Sequence, residues 1–303
     1  MSAFENYLAP ARKRAGFWRV ILGIILIMTC WIIGMILLLM GWVISRIVSG
    51  QSVDAAVDTL DVLKQGGDPL GILVLLMSFA GIWVGIFTAM TWLHRQGFFT
   101  IFAPRASGAL RDFFKGVLLA LAMVVPGALI AVQMTEPFPG LPLDQWLMWV
   151  VPVLLMVGVQ ATGEELIFRG YLLQQLAIRS HSWLVWAALP SVLFGLLHYG
   201  ARTDGGDLYY IAVTTVMGLT FCTLVWRSGS LMPAIGLHVT VNAAALTAIG
   251  PEGTLGGTQL WLLPEDAFLP LIQMDLGISV LVLILVVSPL GRVFNRMPEA
   301  ATG

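Results

Sequence analysis

Uncharged, strongly apolar runs recur along the chain, separated by short segments that hold nearly all of its charge. A hydrocarbon core ~30 Å thick is crossed by about 20 helical residues. Runs of that order fall at 20–44, 70–93, 116–134, 146–163, 182–200, 208–226, 230–249 and 276–294. The pattern predicts an all-α, polytopic membrane protein with about eight transmembrane helices. The fourth run is expected to continue as helix beyond its apolar part, and the eighth is boxed in by Asp275 and Arg292. Residues 51–64, QSVDAAVDTLDVLK, follow another pattern: Val53, Ala56, Val57, Leu60 and Leu63 recur at helical spacing with aspartates opposite, which predicts an amphipathic helix on the outer surface. Residues 250–275 begin Gly-rich and hold no basic residue, and are expected to form an irregular outer loop with a short interfacial piece. Pro126, Pro152, Pro190 and Pro233 lie in or near span ends, where they kink or start helices.

Composition agrees with the pattern. Hydrophobic residues make up 58% of the 303 residues and charged residues 11%, against about 25% charged in a soluble domain. The net charge of −1 gives no basic surface for nucleic acid. Cys30 and Cys222 both fall inside apolar runs without a CxxC pattern, which makes them small core hydrophobes. The basic cluster Arg12, Lys13, Arg14 before an apolar stretch resembles a signal peptide, but the stretch is too long and lacks a small-residue cleavage site, so it reads as a retained first span.

Charge placement sets an orientation. With a cytoplasmic N-terminus, the inside segments carry Arg12, Lys13, Arg14, Arg19, Arg95, Arg105, Arg111, Lys115, Arg169, Arg179, Arg227, Arg292 and Arg296, thirteen of the 16 basic residues. Only Arg46, Lys64 and Arg202 stay outside. That asymmetry is what the positive-inside rule expects of eight spans with both termini cytoplasmic. Without an internal repeat or a soluble insert, residues 1–303 read as one membrane domain, placed by size and style in a bacterial inner membrane.

Against this background a few polar groups stand out. Two carboxylates, Glu164 and Glu165, end the fourth run in GEELIFRG; His198 lies late in the fifth; His238 and Asn242 lie in the seventh. Each would be costly in lipid unless it faced a polar interior. His238 and Asn242, like Phe194 and His198, are four apart and share a helix face. Glu165 and Arg169 have the same spacing, which predicts an ion pair that keeps the carboxylate charged as a structural clamp. Glu164, turned ~100° away, is left without a local cation and becomes a candidate general base toward water. A lone span histidine or asparagine is usually a packing contact. Two histidines, an asparagine and an unpaired glutamate on three spans favour hydrolysis instead. His94 and His181 are expected to be solvated or interfacial.

These segments carry a resemblance. GEELIFRG matches EExxxR, FGLLH matches FxxxH and HVTVN matches HxxxN, in that order, so that residues of roughly 110–250 resemble the CAAX-protease and bacteriocin-processing (Abi) family of intramembrane endopeptidases, which includes the type II CAAX prenyl proteases. The resemblance implies a protease core over about 110–250. It implies catalytic roles for Glu164, His198, His238 and Asn242, with Glu165, Arg169 and Phe194 in support. Glu164 would activate water, His198 would assist, and His238 with Asn242 would stabilise the oxyanion or bind metal. A metal-free glutamate mechanism and a Zn²⁺ mechanism stay open, the latter with Glu164, His198 and His238 as ligands. The partners implied are membrane lipid and a membrane-associated or lipidated peptide or protein, with no nucleic acid. Two other classes compete: a non-catalytic scaffold or bacteriocin-immunity factor of the same fold, and a transporter. An intact motif set argues against the scaffold, and the lack of an inverted repeat against transport.

Overall fold

The computed structural model describes residues 2–103, 107–200, 206–253 and 255–295. Of the basic residues used for orientation, Arg105, Arg202 and Arg296 lie outside the described residues, as does the Lys64 side chain.

The described chain is almost wholly helical. A short N-terminal helix α1 (Ala3–Leu8) precedes the long apolar α2 (Phe17–Val48), the amphipathic α3 (Val53–Gln65) and α4 (Pro69–Leu93). Then follow α5 (Ala109–Met134), α6 (Leu143–Ala177), α7 (Leu184–Leu196), α8 (Asp207–Ser228), α9 (Met232–Thr247) and α10 (Glu265–Val287). Six of these, α2, α4, α5, α6, α8 and α10, are long and apolar enough to cross a membrane. Large apolar side chains stand exposed along them, including Ile21, Ile25, Leu118, Leu129, Leu155 and Leu281, as lipid-facing surfaces require.

Of the eight expected spans, six correspond to long apolar helices and two to shorter ones among the described residues. At ~1.5 Å per residue, α7 and α9 reach only about 20 and 24 Å. α7 still carries an exposed apolar face, with Leu184, Leu189, Val192, Leu193 and Leu196. The last helix begins earlier than its apolar run suggested, and Asp275 lies inside it rather than at its edge. Residues 250–275 are also more ordered than a loop: Phe138–Pro139, Ile249–Pro251 and Trp261–Leu263 form a small three-stranded sheet, β1, β2 and β3, in the order β1-β3-β2. The β1–β3 pairing is antiparallel and β2–β3 is parallel. In α3, Ala56 and Leu63 are buried as the spacing predicts, while Val53 and Val57 are exposed; Thr59 accepts a 2.9 Å bond from the Trp42 indole of α2. Pro126 and Pro152 stay within α5 and α6, and Pro233 sits in the first turn of α9.

Glycines fix one crossing that matters for the site. A Cβ on Gly116 of α5 would lie 2.0 Å from the Pro233 carbonyl oxygen of α9, and a Cβ on Gly236 would lie 2.1 Å from that of Phe113. Only glycine permits this approach, and it seats α9 against α5 with His238 two residues further on.

Candidate active site

The stretch GEELIFRG ends the regular part of α6. Leu143–Glu165 is α-helical, and Leu166–Leu172 widens into a π-helix that resumes as α-helix at Leu173. Such widenings shift the register of the side chains that follow, and they recur at functional sites.

Glu165 and Arg169 are both fully buried and bonded, Oε1 to Nη1, at 2.9 Å. Two buried charges carry a desolvation cost of several kcal/mol each, which a single contact does not offset. Here the carboxylate accepts a second bond, from His238 Nδ1 at 2.8 Å. The guanidinium lies over three rings, those of Phe194, Phe221 and Phe168, at 4.4, 4.8 and 5.6 Å, each contributing cation–π attraction in a desolvated setting. Glycine again makes room: a Cβ on Gly218 of α8 would meet Arg169 Nη2 at 2.8 Å. From the far side, the Tyr7 hydroxyl of α1 reaches the carbonyls of Ile101 and Arg169 at 2.9 and 3.2 Å.

His238 is thereby fixed in tautomer as well as position. An ionised carboxylate only accepts, so Nδ1 carries the hydrogen toward Glu165, and Nε2 is turned toward Glu164 Oε2, 3.4 Å away. Its ring stacks on Phe221 at 5.1 Å and meets Phe194 edge-on at 6.0 Å. The spacing of Glu165 and Arg169 announced their pairing; nothing in it announced that His238 would bridge the two adjacent carboxylates.

Asn242 donates to Gln160 Oε1 at 3.0 Å. Gln160 precedes Glu164 by one helical turn, so HxxxN of α9 faces QxxxE of α6 in antiparallel order, 238 opposite 164 and 242 opposite 160. Gln160 was missed by sequence reasoning. Its signal was present: a buried amide inside an apolar run, on the face of Glu164.

His198 departs from expectation in one respect. Rather than late in a span, it lies in the turn that follows α7, because the helix closes at Leu196. Its Nδ1 donates to the Phe194 carbonyl at 2.8 Å, and its ring packs edge-on against Phe194 and Tyr210. It joins the constellation through Phe194, whose ring also touches that of His238. His94 is corrected outright: it is buried, only 2% exposed, with Nε2 2.9 Å from the Tyr171 hydroxyl. Its position after α4 suggested solvent, but the N-terminal segment covers it. Cys30 and Cys222 are free thiols, Cys222 buried in the core.

A resident metal would need several ligands around one point. Among the described residues no group of three or more His, Cys, Asp or Glu side chains is arranged to hold one. His238 commits Nδ1 to Glu165, and His198 commits Nδ1 to the Phe194 carbonyl.

Comparison with known proteins bears on this same segment. A Bacillus subtilis (strain 168) protein named Uncharacterized protein YyaK is 21% identical over 247 residues, which cover 78% of this chain and 80% of the relative. Residues 145–244 match the family model described as Type II CAAX prenyl endopeptidase Rce1-like, and that span contains Glu164, Glu165, Arg169, Phe194, His198, His238 and Asn242. By its motifs and by the matched segment, the chain is similar over residues 145–244 to the Rce1-like type II CAAX prenyl endopeptidases.

Proposed function

We propose that this chain is an intramembrane endopeptidase that hydrolyses a peptide bond in a membrane-associated or lipidated protein or peptide, using water activated by Glu164. The observation that carries the reading is the facing of Glu164 Oε2 and His238 Nε2 at 3.4 Å, with His238 locked from behind by the Glu165–Arg169 pair. A water lying beside this contact and hydrogen-bonded to both atoms would lose its proton to Glu164 as its oxygen attacks the scissile carbonyl, while His238 Nε2 accepts its other hydrogen and orients it. The oxyanion needs donors that are already in place. Asn242 and Gln160 supply free amide N–H groups one turn from the attack point, since their mutual bond uses only one. The proton taken by Glu164 then passes to the leaving amine, with His198 assisting from the edge of the site.

The zinc alternative would use Glu164, His198 and His238, and would supply Lewis-acid polarisation of the carbonyl. Because those three side chains do not gather around one point, the proposal is built on the glutamate. The orientation belongs to the same reading: both termini cytoplasmic, in a bacterial inner membrane, with the basic ends of α2, α4 and α6 facing the cytoplasm.

The test is proteolysis of a lipidated reporter peptide by the purified protein. Glu164→Gln keeps shape and hydrogen bonding but removes the proton acceptor, so turnover should fall by orders of magnitude while substrate still binds. Asn242→Ala should leave residual activity, reduced ~10²–10³-fold by loss of an oxyanion donor. A chelator should have no effect; inhibition reversed by Zn²⁺ would favour the metal route. Wild-type cleavage by Glu164→Gln would remove the basis of the proposal.

A further inference from the structure

The end of the molecule formed by the start of α2 and the ends of α4 and α6 concentrates four arginines. Arg14 and Arg19 flank the start of α2, Arg95 follows α4 by two residues, and Arg179 follows α6 by two. Bonds bring them together around one buried pair. His94 Nδ1 donates to the Arg14 carbonyl at 3.3 Å; the Tyr171 hydroxyl lies 2.9 Å from His94 Nε2 and 3.2 Å from the Arg19 carbonyl. The Arg179 guanidinium donates to the Ala15 carbonyl and to the carbonyl and Oε1 of Gln175, all neutral acceptors. On the other side of the same short turn, Arg19 Nη1 lies 2.9 Å from where a Cβ on Gly16 would stand. Arg95 and Arg19 both repel Arg14 electrostatically.

Like charges held close repel one another, and a bound anion would offset that repulsion. Among the described residues none of the four has a carboxylate partner, and the neighbouring ion pair, Arg12 with Glu5, is separate from them. A second observation points the same way. Arg95 adopts φ +50°, a left-handed conformation unusual for a non-glycine residue, and strain of this kind persists at ligand clamps where the surroundings over-determine it. Third, exposed aromatic side chains stand near the arginines in sequence, Phe17, Trp18, Trp92, Phe99 and Trp183, and the Arg19 guanidinium lies over the Trp18 ring at 4.4 Å. That is the signature of the membrane–water interface.

The geometry points to a binding site for the headgroup of an anionic phospholipid, held by Arg14, Arg19, Arg95 and Arg179 at the interface, with its acyl chains along α2 and α4. Guanidinium forks match phosphate oxygens bidentately, and the aromatic side chains set the cluster at phosphate depth. The occupant is a lipid rather than a free anion, because Trp92 and Trp18 offer apolar surface beside the charge. The inference does not depend on the proposed chemistry.

Purified full-length protein is titrated with phosphatidylglycerol, phosphatidylcholine or inorganic phosphate, and retained ligand is read by native mass spectrometry alongside thermal melting. Phosphatidylglycerol should be retained and should raise the melting temperature, while phosphatidylcholine and inorganic phosphate should do neither. Replacing Arg14 and Arg95 by Gln should weaken phosphatidylglycerol about fivefold per residue. Lysine replacements should keep only part of the binding, because the charge remains while the bidentate fork is lost, and Arg46→Gln at the other end of α2 should change nothing. Arg95→Gly relieves the backbone strain, so it should melt higher in phosphatidylcholine yet bind the anionic lipid more weakly, which separates lost binding from misfolding. Equal retention of both lipids, an equal effect of inorganic phosphate, or unchanged binding by the arginine variants would overturn the inference.

Discussion

Arg169 illustrates how a single side chain can be required by everything around it. Its guanidinium is fully buried, bonded to Glu165 and enclosed by three phenylalanine rings. Removing it leaves Glu165 as a buried charge with only His238 to answer it. Loss of one member of such a pair costs ~3–5 kcal/mol. Arg169→Ala should therefore lower the melting temperature sharply and reduce the yield of folded protein. Arg169→Lys should recover only part of the loss, because a compact ammonium cannot both stack on Phe194 and bond Glu165 in the same geometry. Unfolding of detergent-solubilised variants followed by tryptophan fluorescence would decide this; an Arg169→Ala protein as stable as wild type would contradict the assigned role.

At the scale of elements, the site depends on how α9 is seated. His238 and Asn242 reach Glu164, Glu165 and Gln160 only because α9 touches α5 backbone to backbone at Gly116 and Gly236. A methyl group at Gly236 would meet the Phe113 carbonyl oxygen at 2.1 Å and force the helices apart. Gly236→Ala should cost ~1–3 kcal/mol of stability, as overpacking does, and lower proteolytic activity by moving His238 away from Glu164. Gly41, with nothing near it, makes a matched control whose change to Ala should leave both unchanged. The short α7 plays a different part. Its closure at Leu196 leaves His198 in a turn against Phe194 and Tyr210, where it can move without unwinding a helix.

Across the whole molecule, the N-terminal segment behaves as a clasp over the ends of the spans. Tyr7 bonds the backbone of Ile101 and Arg169, Gln174 bonds the Tyr7 carbonyl at 3.3 Å, and His94 joins Arg14 to Tyr171. Burial pushes the His94 imidazole below its ordinary pKa, opposed by the bond to the Arg14 carbonyl and reinforced by the charges of Arg179 and Arg19. The folded protein then binds fewer protons at His94 than the unfolded chain once pH falls below about 6.5. Stability is accordingly lost as pH drops through that value and on toward the depressed folded pKa. Melting temperatures should fall between pH 7.5 and 5.5, and His94→Gln should flatten that part of the dependence. A slope identical in wild type and variant would assign the effect to another group.

Local chemistry alone determined much of this protein. The apolar runs specified a helical membrane protein because a backbone in lipid must satisfy its own hydrogen bonds. The i, i+4 spacing of Glu165 and Arg169 specified their pairing, because a helix offers that neighbour before any tertiary contact forms. The motif order likewise anticipated the family match over residues 145–244. Other features depended on contacts between segments far apart in sequence. Hydropathy marks apolar runs but not where a helix closes, so α7 and α9 are shorter than the runs that contain them. The approach of His238 to both Glu164 and Glu165 and the Gln160–Asn242 pair each required α6 and α9 to be set side by side. The burial of His94 depended on an N-terminal segment that folds back across three helix ends. Periodicity reports which face of a helix is apolar; only packing decides which other helix that face will meet.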